Sequence, residues 1–391
     1  MIRSRVGMLF VALAFAVTSA TSSSAAVEPF EIDAIASRSG DYAFQGQQAI
    51  EGLQIVEDMT NKAGGIGGRP IHFVILDDQS NPATAVQDAN AILAKHPALF
   101  VGPSAVSLCS AVAPLLSNGP VMYCVSPGIH PVPGSFVFSS GISTLDTLAA
   151  SKTFFTNRRW TKVAFITSTD ATGQDADRNI QSVFGDDKGP VAVVSHQRFN
   201  PSDLSVSAQM ADIKASGAQV LVAWTTGTPF GTVLRNAHEA GLTIPILTTA
   251  ANLSDAEMRA YAAFLPKELY FPGTPAFAPD VVPPGPVKNA LDAYFAALKA
   301  AGVKPENGIS LTWNAAVLML GALRKLGLSA TAPQIRDYLD GLRGDAGIYG
   351  PYDFVAVPQR GLGEGSVVMI RWDPATKGWI GMSGLGAAPL H

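Results

Sequence analysis

Short runs of β-branched and aromatic residues alternate with longer segments of helical periodicity from residue 31 onward. The alternation predicts βαβ units and a mostly parallel sheet with helices on its faces. In two of the helical segments apolar residues recur three or four positions apart, as in a helix that packs against a sheet. These apolar positions are Ile50, Leu53, Val56 and Met59, and then Val287, Leu291, Tyr294 and Leu298. The predicted strands are residues 31–36, 71–76, 99–101, 121–125, 163–167, 191–194, 220–223, 244–247 and 269–271.

The predicted strands form two series, the first ending near residue 140 and the second starting near residue 160. Residues 139–143 connect the series, and the proline-rich segment 271–286 leads out of the second one into three predicted helices. A further β-like run at 367–372 follows those helices, so the chain returns after completing the second series. This return predicts two discontinuous lobes with a hinge between them. The predicted N-terminal lobe is residues 27–142 with 274–345, and the predicted C-terminal lobe is residues 143–273 with 346–391.

The first 26 residues carry the three zones of a secretory signal. Arg3 and Arg5 precede an apolar stretch at residues 6–17, and small residues follow up to Ala26. The apolar stretch is about 12 residues long, whereas a membrane-spanning helix needs about 20. We therefore expect residues 1–26 to be a signal peptide, and the mature protein to lie in the periplasm without a membrane-embedded part.

Composition narrows the function classes. The chain of 391 residues is 47% hydrophobic and 15% charged, which is typical of a globular protein with two or three domains. Its net charge is −4 and becomes −6 once the two signal arginines are removed, so we expect no nucleic-acid partner. Two cysteines and six histidines make neither a disulfide scaffold nor a four-thiolate zinc site. We expect no metal and no other cofactor.

The sequence lacks common catalytic motifs. It contains no phosphate-binding G-x-x-x-x-G-K-[ST] loop, no H-E-x-x-H motif and no G-x-S-x-G motif. The nearest approach to the last motif, at residues 102–106, lacks the second glycine. We therefore predict a binding protein that is not an enzyme, with a secreted α/β hydrolase as the alternative.

Several short motifs follow one another in a characteristic order. They are Ser39-Gly40 with Gly46, the turn N-K-A-G-G-I-G-G-R-P-I at residues 61–71, Asp77-Asp78 with Asn81-Pro82, Gly102-Pro103-Ser104, Ser126-Pro127-Gly128, Leu234-Arg235-Asn236-Ala237 and Ala240-Gly241-Leu242. Together they resemble the periplasmic solute-binding proteins of ABC transporters of the branched-chain amino acid (leucine/isoleucine/valine-binding) type. The resemblance extends from residue 30 to about residue 375.

This resemblance implies an α/β fold of two Rossmann-like lobes with parallel central sheets, joined by a three-crossing hinge (periplasmic binding protein type I). It also implies a monomer that traps a small carboxylate-bearing ligand between the lobes and delivers it to a membrane permease with its ATPase. A ligand-sensing module of a receptor or regulator has a similar fold and stays an alternative function.

In the first lobe, loops at the carboxyl ends of predicted strands are candidates for the ligand site. Backbone N–H groups and hydroxyls between Ser104 and Ser107 can hold a carboxylate at a helix N-terminus, unless the serines only cap that helix. Similar proteins often have serine where this chain has Ala105 and Val106. They commonly have threonine or serine where this chain has His130. This histidine is either a donor to the ligand or a surface histidine without a role in binding. The candidates in this lobe are Tyr42, Phe44, Gln45, Ser104, Ala105, Val106, Ser107, Gly128, Ile129 and His130.

In the second lobe, the matching loops supply Thr172, Thr226 and Ala250. The amino-acid binders of the resembling family carry an acidic residue in the last of these loops, where this chain has Ala250 and Ala251. Burying an ammonium group without an anionic partner is costly. We therefore favour an aromatic or aliphatic acid without an amine over an amino acid, unless Asp170 replaces the missing acid.

The two cysteines lie close to the first-lobe site. Cys109 is early on the helix after Ser107 and Cys124 is near the end of the following strand, so both can face the same end of the sheet. A disulfide between them is allowed in an oxidising compartment. Two buried thiols are the alternative.

Overall fold

The computed structural model describes residues 1–2, 27–186 and 189–390. The predicted signal peptide therefore lies, apart from its first two residues, outside the described part of the chain. The strands are β1 (Phe30–Ala36), β2 (Ile71–Asp77), β3 (Leu99–Val101), β4 (Val121–Cys124), β5 (Val137–Ser139), β6 (Lys162–Ser168), β7 (Ala192–Phe199), β8 (Val220–Trp224), β9 (Ile246–Thr248), β10 (Leu269–Gly273), β11 (Arg343–Gly347), β12 (Gly350–Asp353), β13 (Val368–Asp373) and β14 (Gly378–Gly381). The helices are α1 (Ala43–Lys62), α2 (Pro82–Leu93), α3 (Val106–Val112), α4 (Thr144–Asn157), α5 (Ala171–Phe184), α6 (Ser207–Ala215), α7 (Thr228–Glu239), α8 (Asp255–Ala260), α9 (Pro286–Ala301), α10 (Asn307–Leu326) and α11 (Ala332–Asp340).

The described residues form two large sheets and a separate antiparallel pair, β11 with β12. The first is parallel, in the order β2-β1-β3-β4-β5. The second has the order β14-β13-β10-β9-β8-β6-β7, in which β6 to β10 run parallel and β13 and β14 antiparallel. Strands β3, β4 and β8 are buried along their whole length, because helices cover both faces of a parallel sheet. These features confirm the predicted α/β class with two lobes, which we call the first and the second lobe after their sheets.

The chain passes between the two sheets at three places. The connections are residues 140–143 between β5 and α4, residues 274–285 between β10 and α9, and residues 354–367 between β12 and β13. Between the second and third connections, α10 packs along α1 of the first lobe. Gly52 of α1 allows this close approach, since a Cβ there would lie 3.0 Å from the Ile309 carbonyl oxygen. The residue boundaries given above for the two lobes stay a prediction.

Some strands have no counterpart in the sequence pattern. Strand β5 contains three residues and follows a loop rich in proline and glycine, so it offers too few positions for a periodic signal. Strand β11 has the polar sequence R-G-D-A-G and is mostly exposed, so its sequence shows no alternation of apolar and polar residues. Strand β14 pairs with β13 across a turn that contains Asp373 and Pro374, and only the β-like run at 367–372 before that turn was predicted.

The capping side chains determine which backbone N–H groups at the start of each helix already have a hydrogen-bond partner. Asn81 caps α2, because its side-chain oxygen accepts the N–H of Ala83 at 2.8 Å. Asp170 caps α5 by accepting the N–H of Gly173 at 3.1 Å. Helix α3 begins differently, because its N-cap residue is Ala105, whose side chain has no acceptor. The first N–H groups of α3 therefore receive no bond from the side chain of the capping residue.

Candidate functional site

A cavity of about 90 Å³ lies between the two lobes, where the carboxyl ends of their parallel strands meet. Ligands occupy this position in open α/β sheets. The volume has room for several water-sized groups, which fits a small organic molecule. This interlobe cavity is lined by Tyr42, Gln45, Ser104, Ala105, Val106, Val125, Ser126, Pro127, Gly128, Gly141, Ile142, Thr144, Thr147, Thr172, Asp175, Trp224, Thr226, Thr249, Ala250, Ala251, Pro272, Thr274, Asn307, Gly308, Leu311 and Tyr349.

Most of the predicted site residues come together in the lining, from both lobes. They are Tyr42, Gln45, Ser104, Ala105, Val106, Gly128, Thr172, Thr226 and Ala250. The turn that brings Ser104 to the cavity depends on Gly102, whose φ is +88° and whose Cβ position would lie 2.0 Å from the Ile35 carbonyl oxygen. Only glycine fits there without displacing β1.

Phe44, Ser107 and Ile129 are corrections to the prediction, because none of them lines the interlobe cavity. Phe44 is on the outward face of α1 with 38% of its surface exposed. The Ser107 hydroxyl lies 3.5 Å from the phenol oxygen of Tyr42, which is itself a lining residue. The Ile129 side chain packs into the core between the first sheet and α3. Each is next to a lining residue in sequence but is not part of the lining itself.

His130 is the fourth correction, because its side chain contacts the second lobe instead of the interlobe cavity. Its Nε2 lies 2.5 Å from Oδ1 of Asp175 on α5. The imidazole is half exposed, whereas the Asp175 side chain is 1% exposed. The imidazole N–H therefore donates to a buried carboxylate across the boundary between the lobes.

Asp175 is the charged side chain of the lining, and it was not predicted. Its Oδ1 also accepts from Arg178 and from Asn179, each at 3.2 Å. Its Oδ2 is buried and has no hydrogen-bond partner within the described residues. Asp170, which was considered as a replacement acid, instead accepts from Ser168 and caps α5. The second lobe thus contributes an acid to the interlobe cavity, but from α5 and not from the loop before α8.

The first lobe contributes neutral polar groups at the start of α3 and α1. The Ser104 hydroxyl is buried, and no partner for it exists in the described part of the chain; neither this serine nor Ser107 is the N-cap residue of α3. Both amide atoms of Gln45 are likewise buried without a partner there. Burial raises the pKa of Tyr42, and the hydrogen bond with Ser107 partly offsets the rise, so the phenol stays neutral. These groups suit a ligand that brings its own donors and acceptors.

Several lining residues could be found only once the fold was known. Asp175 lies three positions after Thr172 on one helix face, so helical periodicity was the available signal for it. Trp224 directly follows the predicted strand 220–223 and begins the predicted loop that supplies Thr226. The lining residues that come from the connections between the lobes and from α10 had no signal in the sequence, because only the three-dimensional path of the chain brings them to the cavity. These are Gly141, Ile142, Thr274, Asn307, Gly308 and Leu311.

A disulfide joins Cys109 of α3 to Cys124 of β4, with Cα atoms 6.0 Å apart. Of the two alternatives for the cysteines, the structure therefore has the bonded form. Both residues are fully buried beneath the loops that carry Ser104 and Gly128. The bond ties the helix that opens at the cavity to the strand that supplies the next lining loop.

The family model described as periplasmic binding protein matches residues 29–378. The chain is 27% identical over 244 residues to the Leu/Ile/Val-binding protein homolog 3 of Brucella melitensis, which is 61% of this chain and 66% of that protein. It is 24% identical over 243 residues to the leucine-, isoleucine-, valine-, threonine- and alanine-binding protein of Pseudomonas aeruginosa, which is 61% of this chain and 64% of that protein. The aligned regions thus span just under two thirds of these relatives.

Solved structures show the same fold at low sequence identity. The branched-chain amino acid transporter substrate-binding protein LivJ of Streptococcus pneumoniae, in complex with isoleucine, has a TM-score of 0.75 and 18% identity, covering 88% of this chain and 96% of that one. An ABC transporter solute-binding protein of Rhodopseudomonas palustris, in complex with benzoate, has a TM-score of 0.75 and 16% identity, covering 93% and 98%. At such low sequence identity, the structural similarity establishes the fold alone. The two bound ligands differ, because isoleucine carries an amine and benzoate does not.

The comparisons confirm the resemblance found in the sequence. The relatives are solute-binding proteins, which also confirms the prediction that this chain is not an enzyme and sets the hydrolase alternative aside. Among the residues that the structure describes, none of the helices has the length and hydropathy needed to cross a bilayer.

Proposed function

Because the chain belongs to the periplasmic binding protein family, we propose that it is the periplasmic substrate-binding component of an ABC transporter of the branched-chain amino acid type. In this proposal the interlobe cavity captures a small amino acid with an apolar side chain and delivers it to a membrane permease with its ATPase. The amine is a change from the amine-free acid favoured by the sequence. The observation that carries the change is the unpartnered carboxylate oxygen of Asp175 in the cavity.

The amine end of the ligand is assigned to Asp175. A buried carboxylate oxygen without a donor costs free energy, and a ligand ammonium supplies both the donor and the opposite charge. A ligand carboxylate at the same position would be repelled. The absence of an acid at Ala250 and Ala251 therefore carries less weight than the sequence suggested, because the second lobe offers Asp175 on α5 instead.

The carboxylate end is assigned to the start of α3. The first N–H groups of this helix receive no side-chain cap, and the buried Ser104 hydroxyl is available as a donor. A carboxylate can accept from both. Between the two polar ends, the cavity is lined by apolar groups that include Ile142, Trp224 and Leu311. This arrangement favours a zwitterion with an apolar side chain.

The test compares amino acids with the same molecules lacking the amine. The mature protein, residues 27–391, is refolded to remove co-purified ligand and titrated by calorimetry with L-leucine, L-valine and L-phenylalanine. The matched acids are 4-methylpentanoate, 3-methylbutanoate and 3-phenylpropanoate. We expect at least one amino acid to bind at least ~30-fold more tightly than its matched acid, which corresponds to about 2 kcal/mol. Tighter binding of the acids would contradict the assignment of the amine to Asp175.

A substitution of Asp175 tests how much its carboxylate charge contributes to ligand binding. Asp175→Asn keeps the size of the side chain and removes its charge, so we expect binding of the amino acid to weaken by at least ~30-fold, and by a clearly larger factor than binding of the matched acid. Asp212→Asn is the matched control, because it removes the same charge from an exposed position on α6. An equal loss for the amino acid and the matched acid would mean that Asp175 has a structural role alone.

Delivery to a transporter needs its own test. Reconstituted with the cognate permease and ATPase in vesicles, the liganded mature protein should stimulate ATP hydrolysis, whereas a sensing module would not. In the source cells, the protein in the periplasmic fraction should begin at Val27 after signal removal. A mature form that retains residues 1–26 would contradict the proposed localisation.

A further inference from the structure

One hydrogen bond of the cavity region joins the two lobes directly. His130 belongs to the loop after β4 of the first lobe, and Asp175 belongs to α5 of the second lobe. Their Nε2 and Oδ1 atoms are 2.5 Å apart. The other oxygen of the same carboxylate is buried without a hydrogen-bond partner among the described residues, and Asp175 is part of the lining of the interlobe cavity. A single buried side chain therefore meets both the opposite lobe and the ligand space.

The loop that carries His130 is held by the third connection between the lobes. The Arg360 guanidinium donates to the carbonyl oxygen of Ile129 at 2.6 Å and to that of Gly141 at 3.0 Å. The neighbouring Gln359 side chain accepts the N–H of Gly134 at 2.9 Å. Both ends of the loop are thus fixed to residues 359–360, so the imidazole is presented to Asp175 without a further loop rearrangement.

We infer that His130 latches the lobes shut over the ligand by donating to Asp175, and that it thereby sets how long the closed form lasts. The inference rests on the proposed function, since it concerns release of the ligand from the same cavity. The bond exists only when the lobes meet, so it must break before the ligand can leave. Association starts from the open form, in which the bond is not made, so loss of His130 changes the dissociation rate far more than the association rate.

A second residue that donates to Oδ1 of Asp175 supplies a control variant. Arg178 also donates to Oδ1 of Asp175, at 3.2 Å, but from the same helix three residues further on. Its bond does not cross between the lobes and persists in the open form. Its side chain is largely exposed, as is half of His130, so neither substitution opens a hole in the core. If any hydrogen-bond donor to Oδ1 of Asp175 had the same effect, the two residues would behave alike.

The experiment measures ligand kinetics by stopped-flow fluorescence on the mature protein, using whichever of L-leucine, L-valine or L-phenylalanine binds. For His130→Ala we expect the dissociation rate to rise about tenfold, the low end for a hydrogen bond to a charged group, with the association rate within about twofold. His130→Gln, which keeps an N–H donor, should recover part of the loss. Arg178→Ala should leave the dissociation rate within about twofold of the parent.

A second measurement needs no ligand. Small-angle X-ray scattering of ligand-free protein should show a larger radius of gyration for His130→Ala than for the parent, because the open form gains population. Equal dissociation rates together with equal radii would overturn the latch while the proposed function stands. So would a change of the same size in Arg178→Ala. If the parent protein binds none of the six titrated compounds, the proposed function fails, and the latch over a ligand fails with it.

Discussion

Glu257 on α8 gives the sharpest prediction for stability. Its side chain is fully buried, and neither carboxyl oxygen has a partner in residues 27–186 or 189–390. Burial raises the pKa of Glu257 from 4.5 to about 8, and the nearby charge of Glu306 acts in the same direction. Burial also raises the pKa of Glu306 to about 7. The folded protein therefore keeps a proton on Glu257 at pH values where the unfolded chain has lost it.

The sign and size of the effect follow from proton linkage. A carboxyl with a raised pKa stabilises the fold below about pH 4.5, and this contribution is lost as the pH rises toward about 8. Each pH unit in this window costs about 1.4 kcal/mol. Between pH 5 and pH 8 the free energy of unfolding should therefore fall by about 4 kcal/mol through this group alone.

Glu257→Gln removes the ionisable group and keeps the side-chain shape. We expect similar free energies of unfolding for variant and parent at pH 5, and a variant that is more stable by about 3 to 4 kcal/mol at pH 8. Chemical denaturation of the mature protein at pH 5, 6.5 and 8 measures this gap. Glu239→Gln, at an exposed position on α7, is the control and should follow the parent.

A gap between Glu257→Gln and the parent that stays constant with pH would refute the reasoning. It would mean that the carboxyl is hydrated or paired in solution, and hence that its proton is not held by burial. A variant that becomes less stable than the parent at pH 8 would be stronger evidence against it, because the anion would then be the favoured form.

Three other predictions concern stability, the first two of them at the scaffold of the site. The bond between Cys109 and Cys124 closes a 15-residue loop, so Cys109→Ala/Cys124→Ala should lower the free energy of unfolding by about 3 kcal/mol, and reductant should destabilise the parent but not the double variant. Gly173→Ala should destabilise by about 3 kcal/mol or more, because its Cβ would lie 1.6 Å from the Ser168 carbonyl oxygen. In contrast, Gly321→Ala on α10, with no atom within 4 Å of the new Cβ, should stabilise by up to ~1 kcal/mol in the same denaturation assay.

The alternation of strands and helices could be predicted because each element shows in the residue pattern of its own segment. Parallel strands such as β3 and β8 are buried on both faces and appear as uninterrupted apolar runs. The loops after them could be predicted as ligand-binding for the same reason, since the carboxyl ends of the strands determine where a ligand binds. Ser104 and Thr226 line the cavity accordingly.

The parts of the site that were missed depend on contacts between distant segments. Asp175 lines the cavity because of how α5 packs on the second sheet, and its helical spacing from Thr172 is the one local signal for it. His130 turns toward Asp175 because Arg360, far along the chain, holds the carbonyl oxygen of Ile129. Sequence position alone assigned the histidine to the ligand, and only the fold shows that it faces the opposite lobe.

The most direct test of the account is a crystal structure of the mature protein with the tightest of the titrated compounds. We predict a closed form in which the ligand nitrogen lies about 3 Å from Oδ2 of Asp175, with the ligand carboxylate at the start of α3. A ligand whose carboxylate, or whose side chain, occupies the position next to Asp175 would contradict the assignment of the amine.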